Sequence, residues 1–196
     1  ALPISAVGNV RFGHFVEPFS LERQSRKELL PFMERSVATR NFSPGRNLGV
    51  MLYNDLPNHE NLSWFVGAFR GNKRDDFANS TSNDWTATGR VAWLAHYNEC
   101  DHQLLHIGFG ATARRTGTAV AEEGNGLWTG RVPLGDLSSL IEIQVNPNSE
   151  FNVYNIELAW AKGPLTLQAE GYHAETNGQR LYMTGAYAQV SYFLYG

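Results

Sequence analysis

Gln103-Leu104-Leu105-His106-Ile107-Gly108-Phe109-Gly110-Ala111-Thr112-Ala113-Arg114-Arg115 alternates apolar and polar or small residues. Successive side chains of a strand point to opposite faces. Leu105, Ile107, Phe109 and Ala111 therefore share one face, and His106, Gly108, Gly110, Thr112 and Arg114 share the other. The run is about twice the usual length of a soluble strand, roughly five or six residues. A tilted strand that crosses a bilayer needs about 9–11 residues. One charged face and one apolar face also suit a half-exposed antiparallel sheet, so the decision rests on what surrounds this stretch.

Period-two alternation predicts strands at 4–17, 47–54, 62–70, 87–97, 103–115, 151–162, 164–174 and 182–195. In 151–162, Tyr154, Ile156, Leu158 and Trp160 oppose Asn155, Glu157 and Ala159. In 164–174, Leu165, Leu167 and Ala169 oppose Thr166, Gln168 and Glu170. In 87–97, Val91, Trp93, Ala95 and Tyr97 oppose Arg90 and His96. Helical periodicity is weak except over 21–38. The connections alternate in length: 18–46 is long, 55–61 short, 71–86 long, 98–102 short and 116–150 long. A tight turn follows at Lys162-Gly163-Pro164, and then an intermediate connection at 175–181. An up-and-down outer-membrane barrel has short turns on one side and long loops on the other. Greek-key sandwiches have no reason to alternate in this way. The fold class predicted is all-β, an antiparallel up-and-down transmembrane β-barrel. In that fold Leu105, Ile107, Phe109, Leu158 and Trp160 face outward and the Arg side chains face the other way.

Composition is compatible with this. The 196 residues hold 12% aromatics and 19 Gly, with a net charge of −3 that argues against a general nucleic-acid binder. No stretch approaches the roughly 18 consecutive apolar residues of a transmembrane helix. Cys100 is the single cysteine, so no internal disulfide forms. Residues 1–10 lack the basic and apolar regions of a signal peptide, so a secreted protein would be represented here in mature or truncated form. Trp64, Trp85, Trp93, Trp128 and Trp160, with Tyr97, Tyr154, Tyr182, Tyr192 and Tyr195, are candidates for interfacial girdles.

Three stretches carry a resemblance to a known family. The first is Arg11-Phe12-Gly13-His14-Phe15-Val16-Glu17-Pro18-Phe19-Ser20-Leu21-Glu22. The second pairs Phe32-Met33-Glu34-Arg35-Ser36 with Pro44-Gly45-Arg46-Asn47-Leu48-Gly49-Val50. The third is Gly163-Pro164-Leu165-Thr166-Leu167-Gln168-Ala169-Glu170, with Gly185-Ala186-Tyr187-Ala188-Gln189-Val190-Ser191-Tyr192-Phe193-Leu194. Together they resemble the phosphate-selective porin O and P family from 11 to 194. The resemblance implies an outer-membrane porin of about sixteen strands in a homotrimer, of which residues 1–196 are one incomplete barrel domain. It implies passive diffusion of small anions, phosphate or polyphosphate, with no enzyme activity and no cofactor. The partners it implies are the transported anions and outer-membrane lipid. Val16 and His14 stand where the family often has Lys and Gln, which implies one basic lumen residue fewer.

An anion channel needs positive groups at its narrowest point that replace part of the ion's hydration without trapping it. Residues 1–50 contain Arg11, Arg23, Arg26, Lys27, Arg35, Arg40 and Arg46 against Glu17, Glu22, Glu28 and Glu34. All but Arg11 of these cations fall in 18–46, which makes that connection the candidate constriction loop. The planar fork of Arg matches two phosphate oxygens, whereas Lys acts as a point charge. Arg90 and Arg114 lie on the polar faces of their strands. The predicted anion-binding or pore-lining set is Arg11, Arg26, Lys27, Arg35, Arg40, Arg46, Arg90 and Arg114.

Other constellations are weaker. Asp101, His102 and His106 offer two His without a third close ligand, which rarely makes a metal site. Gly108-x-Gly110 precedes no helix and is no phosphate loop; small residues on a lumen face explain it. An outer-membrane lipid hydrolase would need a Ser and a His together, for which Ser191 and His173 are the available pair. A soluble sandwich binding carbohydrate through its Trp residues is the third possibility.

Overall fold

The computed structural model describes residues 2–4, 8–54, 61–70, 85–115, 126–130, 141–145, 150–177 and 181–194. One nine-stranded antiparallel sheet runs in the order β1 (Leu2–Ile4), β2 (Gly8–Val16), β3 (Arg46–Tyr53), β4 (Leu62–Arg70), β5 (Trp85–Asn98), β6 (Gln103–Arg115), β9 (Glu150–Lys162), β10 (Leu165–Thr176) and β11 (Leu181–Tyr192). Each main strand pairs with the next in sequence, apart from the step from β6 to β9. There a separate hairpin of β7 (Gly126–Gly130) and β8 (Ile141–Val145) intervenes. The sheet is not closed: β1 and β11 are its edges.

This up-and-down order places the strand ends at Tyr53, Leu62, Asn98, Gln103, Lys162 and Leu165 at one end of the sheet, and those at Val16, Arg46, Arg70, Trp85, Arg115, Glu150, Thr176 and Leu181 at the other, so short and long connections join opposite ends. Loop-length alternation was thus a faithful guide to topology. Gly163 adopts φ +55° in the tight turn between β9 and β10, a conformation that favours glycine.

The two faces differ as a membrane wall requires. Register places Leu62, Trp93, Ile107, Leu158, Ala169 and Ala188 in one unbroken row from β4 to β11. Phe12 and Ile156, on the same face, are 77% and 64% exposed. Leu48, Val50, Val66, Val91, Phe109 and Val190 are exposed there too. Soluble monomers rarely leave a contiguous apolar patch above a few hundred Å². Trp64, Trp93 and Trp160 sit on this outer face in its short-turn half. Trp85, Tyr154 and Tyr182 sit nearer the long-loop end, with Tyr154 stacked between Phe109 and His173, and His173 against Tyr182. The side chains of Trp128 and Tyr195 lie outside the described residues.

Four features depart from the sequence reading. A bulge between Leu94 and His96 pairs Tyr97 with Leu104 and His96 with Leu105. The extra residue reverses the alternation, so Tyr97 leaves the face of Val91 and Trp93, and His96 joins it. The strand expected over 4–17 is two pieces, with β1 folded antiparallel onto the start of β2. Connection 116–150 contains the β7–β8 hairpin, whose alternation in Ile141-Glu142-Ile143-Gln144-Val145 is short but present.

The helical periodicity expected over 21–38 gives only helix fragments: α1 (Leu21–Gln24), a 3-10 turn (Lys27–Leu29) and α2 (Val37–Phe42). Ser20 and Ser36 cap α1 and α2 by accepting from the N–H groups of Arg23 and Thr39. Pro31 bars a continuous helix between them, because Leu30 before it is pushed out of the helical region. Helices this short do not persist alone and take their stability from packing.

Candidate functional site

Residues 17–45 leave the end of β2, cross the inner face of the sheet and return to β3. Their seat is partly apolar. Phe19, Ala38 and Phe42 are buried against Phe151, Val153, Tyr172, Ala174 and Met183. Phe42 stacks on Tyr172 with ring centroids 5.6 Å apart. Gly110 and Gly185 make the seat possible. A Cβ on Gly110 would collide with the Phe19 carbonyl oxygen, and one on Gly185 with the Phe42 ring. The inner face is therefore not uniformly polar: Phe151, Val153 and Met183 interrupt it where the segment lands.

Polar pairs close the remaining gaps. Glu17, fully buried, receives Arg114 Nη2 at 3.0 Å, Thr88 Oγ1 at 2.5 Å and Asn47 Nδ2 at 2.5 Å. Arg90 Nε donates to Glu157 Oε1 at 2.7 Å, with its guanidinium 5.8 Å from the Phe65 ring centroid. His106 Nε2 lies 3.7 Å from the same carboxylate oxygen. Gly108 leaves the room for it, since a Cβ there would strike the Glu157 carboxylate.

The predicted cations consequently divide. Arg90 and Arg114 are on the inner face, as their strand positions required, but are only 8% and 7% exposed and each is paired with a carboxylate. Arg11 is also on the inner face by register with Met51; it is exposed and lies over the Phe15 ring at 4.6 Å. Arg40 pairs with Glu34 at 3.1 Å near the surface. Arg26, Lys27, Arg35 and Arg46 converge on one cavity of about 590 Å³, where the segment leaves β2 and rejoins β3. Arg23 joins them, and Glu28 is the acidic residue in the lining.

Backbone carbonyls orient the two inner cations. Arg35 Nε donates to Glu22 O at 3.1 Å and its Nη2 to Ser25 O at 3.0 Å. Arg23 Nε donates to Pro44 O at 3.2 Å. Carbonyl partners fix the Arg35 guanidinium without cancelling its charge, and the lining of five cations against Glu28 is basic on balance. A recessed site lined by one sign of charge concentrates counter-ions.

Val16 pairs with Arg46, and His14 with Leu48, on the outer face of β2 and β3. His14 is away from the basic cavity, but Val16 and Arg46 sit at the long-loop rim and both line it, so the departure at 16 leaves that lining one cation fewer. His102 lies in the turn before β6 and His106 beside Glu157. Ser191 pairs with Thr166 on the inner face, whereas His173 pairs with Thr184 on the outer, so the fold does not bring these two together.

The pattern of the phosphate-selective porin O and P proteins matches residues 5–196. The chain belongs to that family. This porin is thus a bacterial outer-membrane protein, and its family is one of anion channels rather than enzymes. No curated protein matches it. Family membership and the bare apolar face agree with an outer-membrane wall, and the Arg, Glu and His pairs face away from that apolar surface.

Sequence reasoning missed Arg23, the carboxylates that hold the segment, Glu17, Glu22 and Glu170, and Glu157, which holds Arg90. Arg23 had a signal, since it stands next to the chosen Arg26 and Lys27 in the same basic stretch. Glu157 and Glu170 were legible as inner-face residues, but alternation gives a face and not a partner.

Proposed function

We propose that this porin passes inorganic phosphate and related small oxyanions, and that the cations at the neck of segment 17–45 select them. The observation that carries this reading is the convergence of Arg23, Arg26, Lys27, Arg35 and Arg46 on one cavity against Glu28. The segment acts as the constriction. It lies across the inner face, is anchored at its root by Glu17 and packed along its length by Phe19 and Phe42. Arg90 and Arg114 act as structural cations beneath it, because their charge is balanced by Glu157 and Glu17.

Fast passage needs attraction without tight capture. Arg26 and Lys27 are exposed and can move with the ion, while Arg35 is held by carbonyls. That combination gives a fixed attracting charge flanked by adaptable ones. An open sheet edge is not tolerated in lipid, so further strands must pair with β1 and β11 to close the wall. A barrel of about sixteen strands assembled as a trimer is the form proposed.

Planar-bilayer recording of the full-length protein tests the selectivity. Added inorganic phosphate should block chloride current at low concentration, and Arg26→Gln with Lys27→Gln should weaken that block. A block that persists unchanged in the double variant would remove the cavity from the pathway.

A further inference from the structure

Resting on that reading, we infer that Glu170 is a positioning residue for anion selection, acting through Glu22 to hold Arg35 and the constriction in place. Glu170 lies on the inner face of β10 and is 2% exposed. Unlike Glu17 and Glu157, it makes no ion pair with an Arg among the described residues. Its neutral donors come from several elements. Glu22 N donates to Oε1 at 2.8 Å and Leu21 N to Oε2 at 3.2 Å. Tyr187 Oη donates to Oε1 at 2.6 Å, and Tyr172 Oη to Oε2 at 3.1 Å. Asn155 Nδ2 donates to Oε2 at 3.2 Å.

A buried carboxylate is costly unless its lone pairs are filled, and here the filling donors include the backbone of the segment itself. The wall carboxylate therefore fixes residues 21–22 in position and orientation. From there the order propagates. The Glu22 carboxylate accepts from Ser36 N at 3.1 Å and Ser36 Oγ at 2.8 Å, which sets the start of α2. The Glu22 carbonyl accepts from Arg35 Nε. The Tyr172 hydroxyl lies 3.1 Å from Ser20 Oγ and 2.8 Å from Thr39 Oγ1, tying both helix starts to the same wall position. Register also sets Glu170 directly opposite Glu157 on β9. Like charges opposed across strands are unfavourable. The pair persists because Glu157 is balanced by Arg90 and Glu170 by the segment. Without the segment seated, Glu170 would lose its backbone donors, so the wall itself favours the seated form.

The test uses the full-length porin with Cys100→Ser, spin labels at residues 37 and 184, and inorganic phosphate block of chloride current as the second readout. Glu170→Ala should broaden the 37–184 distance distribution and weaken phosphate block about tenfold, the loss expected for charge-assisted hydrogen bonds. Glu170→Gln, which keeps one carbonyl acceptor, should fall between. If Glu170→Ala fails to assemble, Glu22→Gln disturbs the same relay from the segment without touching a strand, and the same broadening is expected. A distribution as narrow as that of the parent would overturn the inference while leaving the anion reading standing. A broadened distribution with unaltered block would overturn it from the other side, by separating segment position from selection. Unaltered block in the Arg26→Gln, Lys27→Gln porin with Glu170 intact would instead show that the anion reading is at fault.

Discussion

Glu17 and Arg114, 97 residues apart in sequence, meet at 3.0 Å with both side chains buried. Glu17 is the first residue after β2, and Arg114 belongs to β6. The contact draws the root of segment 17–45 over the face of the intervening strands, with Thr88 on β5 and Asn47 on β3 completing the carboxylate's partners. It explains why a cation chosen as pore-lining from its strand position is instead covered.

Glu17→Ala should destabilise the folded porin by about 3–5 kcal/mol, the usual cost of removing one partner of a buried pair. Urea unfolding in lipid vesicles reads this directly. A change below about 1 kcal/mol would show the contact to be exchangeable with water.

Gly110→Ala places a methyl group against the Phe19 carbonyl, which is backbone and cannot swing aside. Overpacking of this kind costs roughly 1–3 kcal/mol. The expected outcome is a lower thermal midpoint together with noisier single-channel current, because the strain falls on the seat of the segment. Gly13→Ala is a poor control despite the open space around it, since Gly13 has φ +134°. Thr184→Ala, exposed on the outer face, is the suitable one.

The apolar face should report membrane depth. Ile156→Lys is expected to destabilise by about 2–4 kcal/mol if it lies near the bilayer midplane, and Trp85→Lys, at the start of β5, by less than about 1 kcal/mol. Equal, negligible effects at both positions would contradict lipid contact for this face.

The fold was legible because its decisive signal is local. Phe109 beside Gly110 states a face, and repetition of that statement over long strands states a wall. The signal failed at Ala95, where one extra residue reversed the faces, since a bulge leaves no mark in hydrophobicity. Site residues were less legible. Arg90 and Arg114 read as free lumen cations because Glu157 and Glu17 are far from them in sequence, and pairing depends on registers that sequence does not print. Phe151, Val153 and Met183 broke the expected polarity of the inner face because they answer to Phe19, Ala38 and Phe42, not to water. Charge excess in 18–46, a property needing no register, falls on residues that line one cavity.

Replacing the buried pair as a unit, Arg90→Met with Glu157→Leu, should leave ion selectivity unchanged. Its effect on stability should be small or even favourable, because both desolvation costs disappear together. A loss of anion preference in this double variant would show that Arg90 contacts the ion.

The zero-current potential of the full-length porin in a potassium chloride gradient tests anion selection most directly. With Arg26→Glu and Lys27→Glu, which reverse two exposed cations of the cavity, it should move well toward the potassium equilibrium potential. The same potential in parent and variant would contradict selection by the neck of segment 17–45.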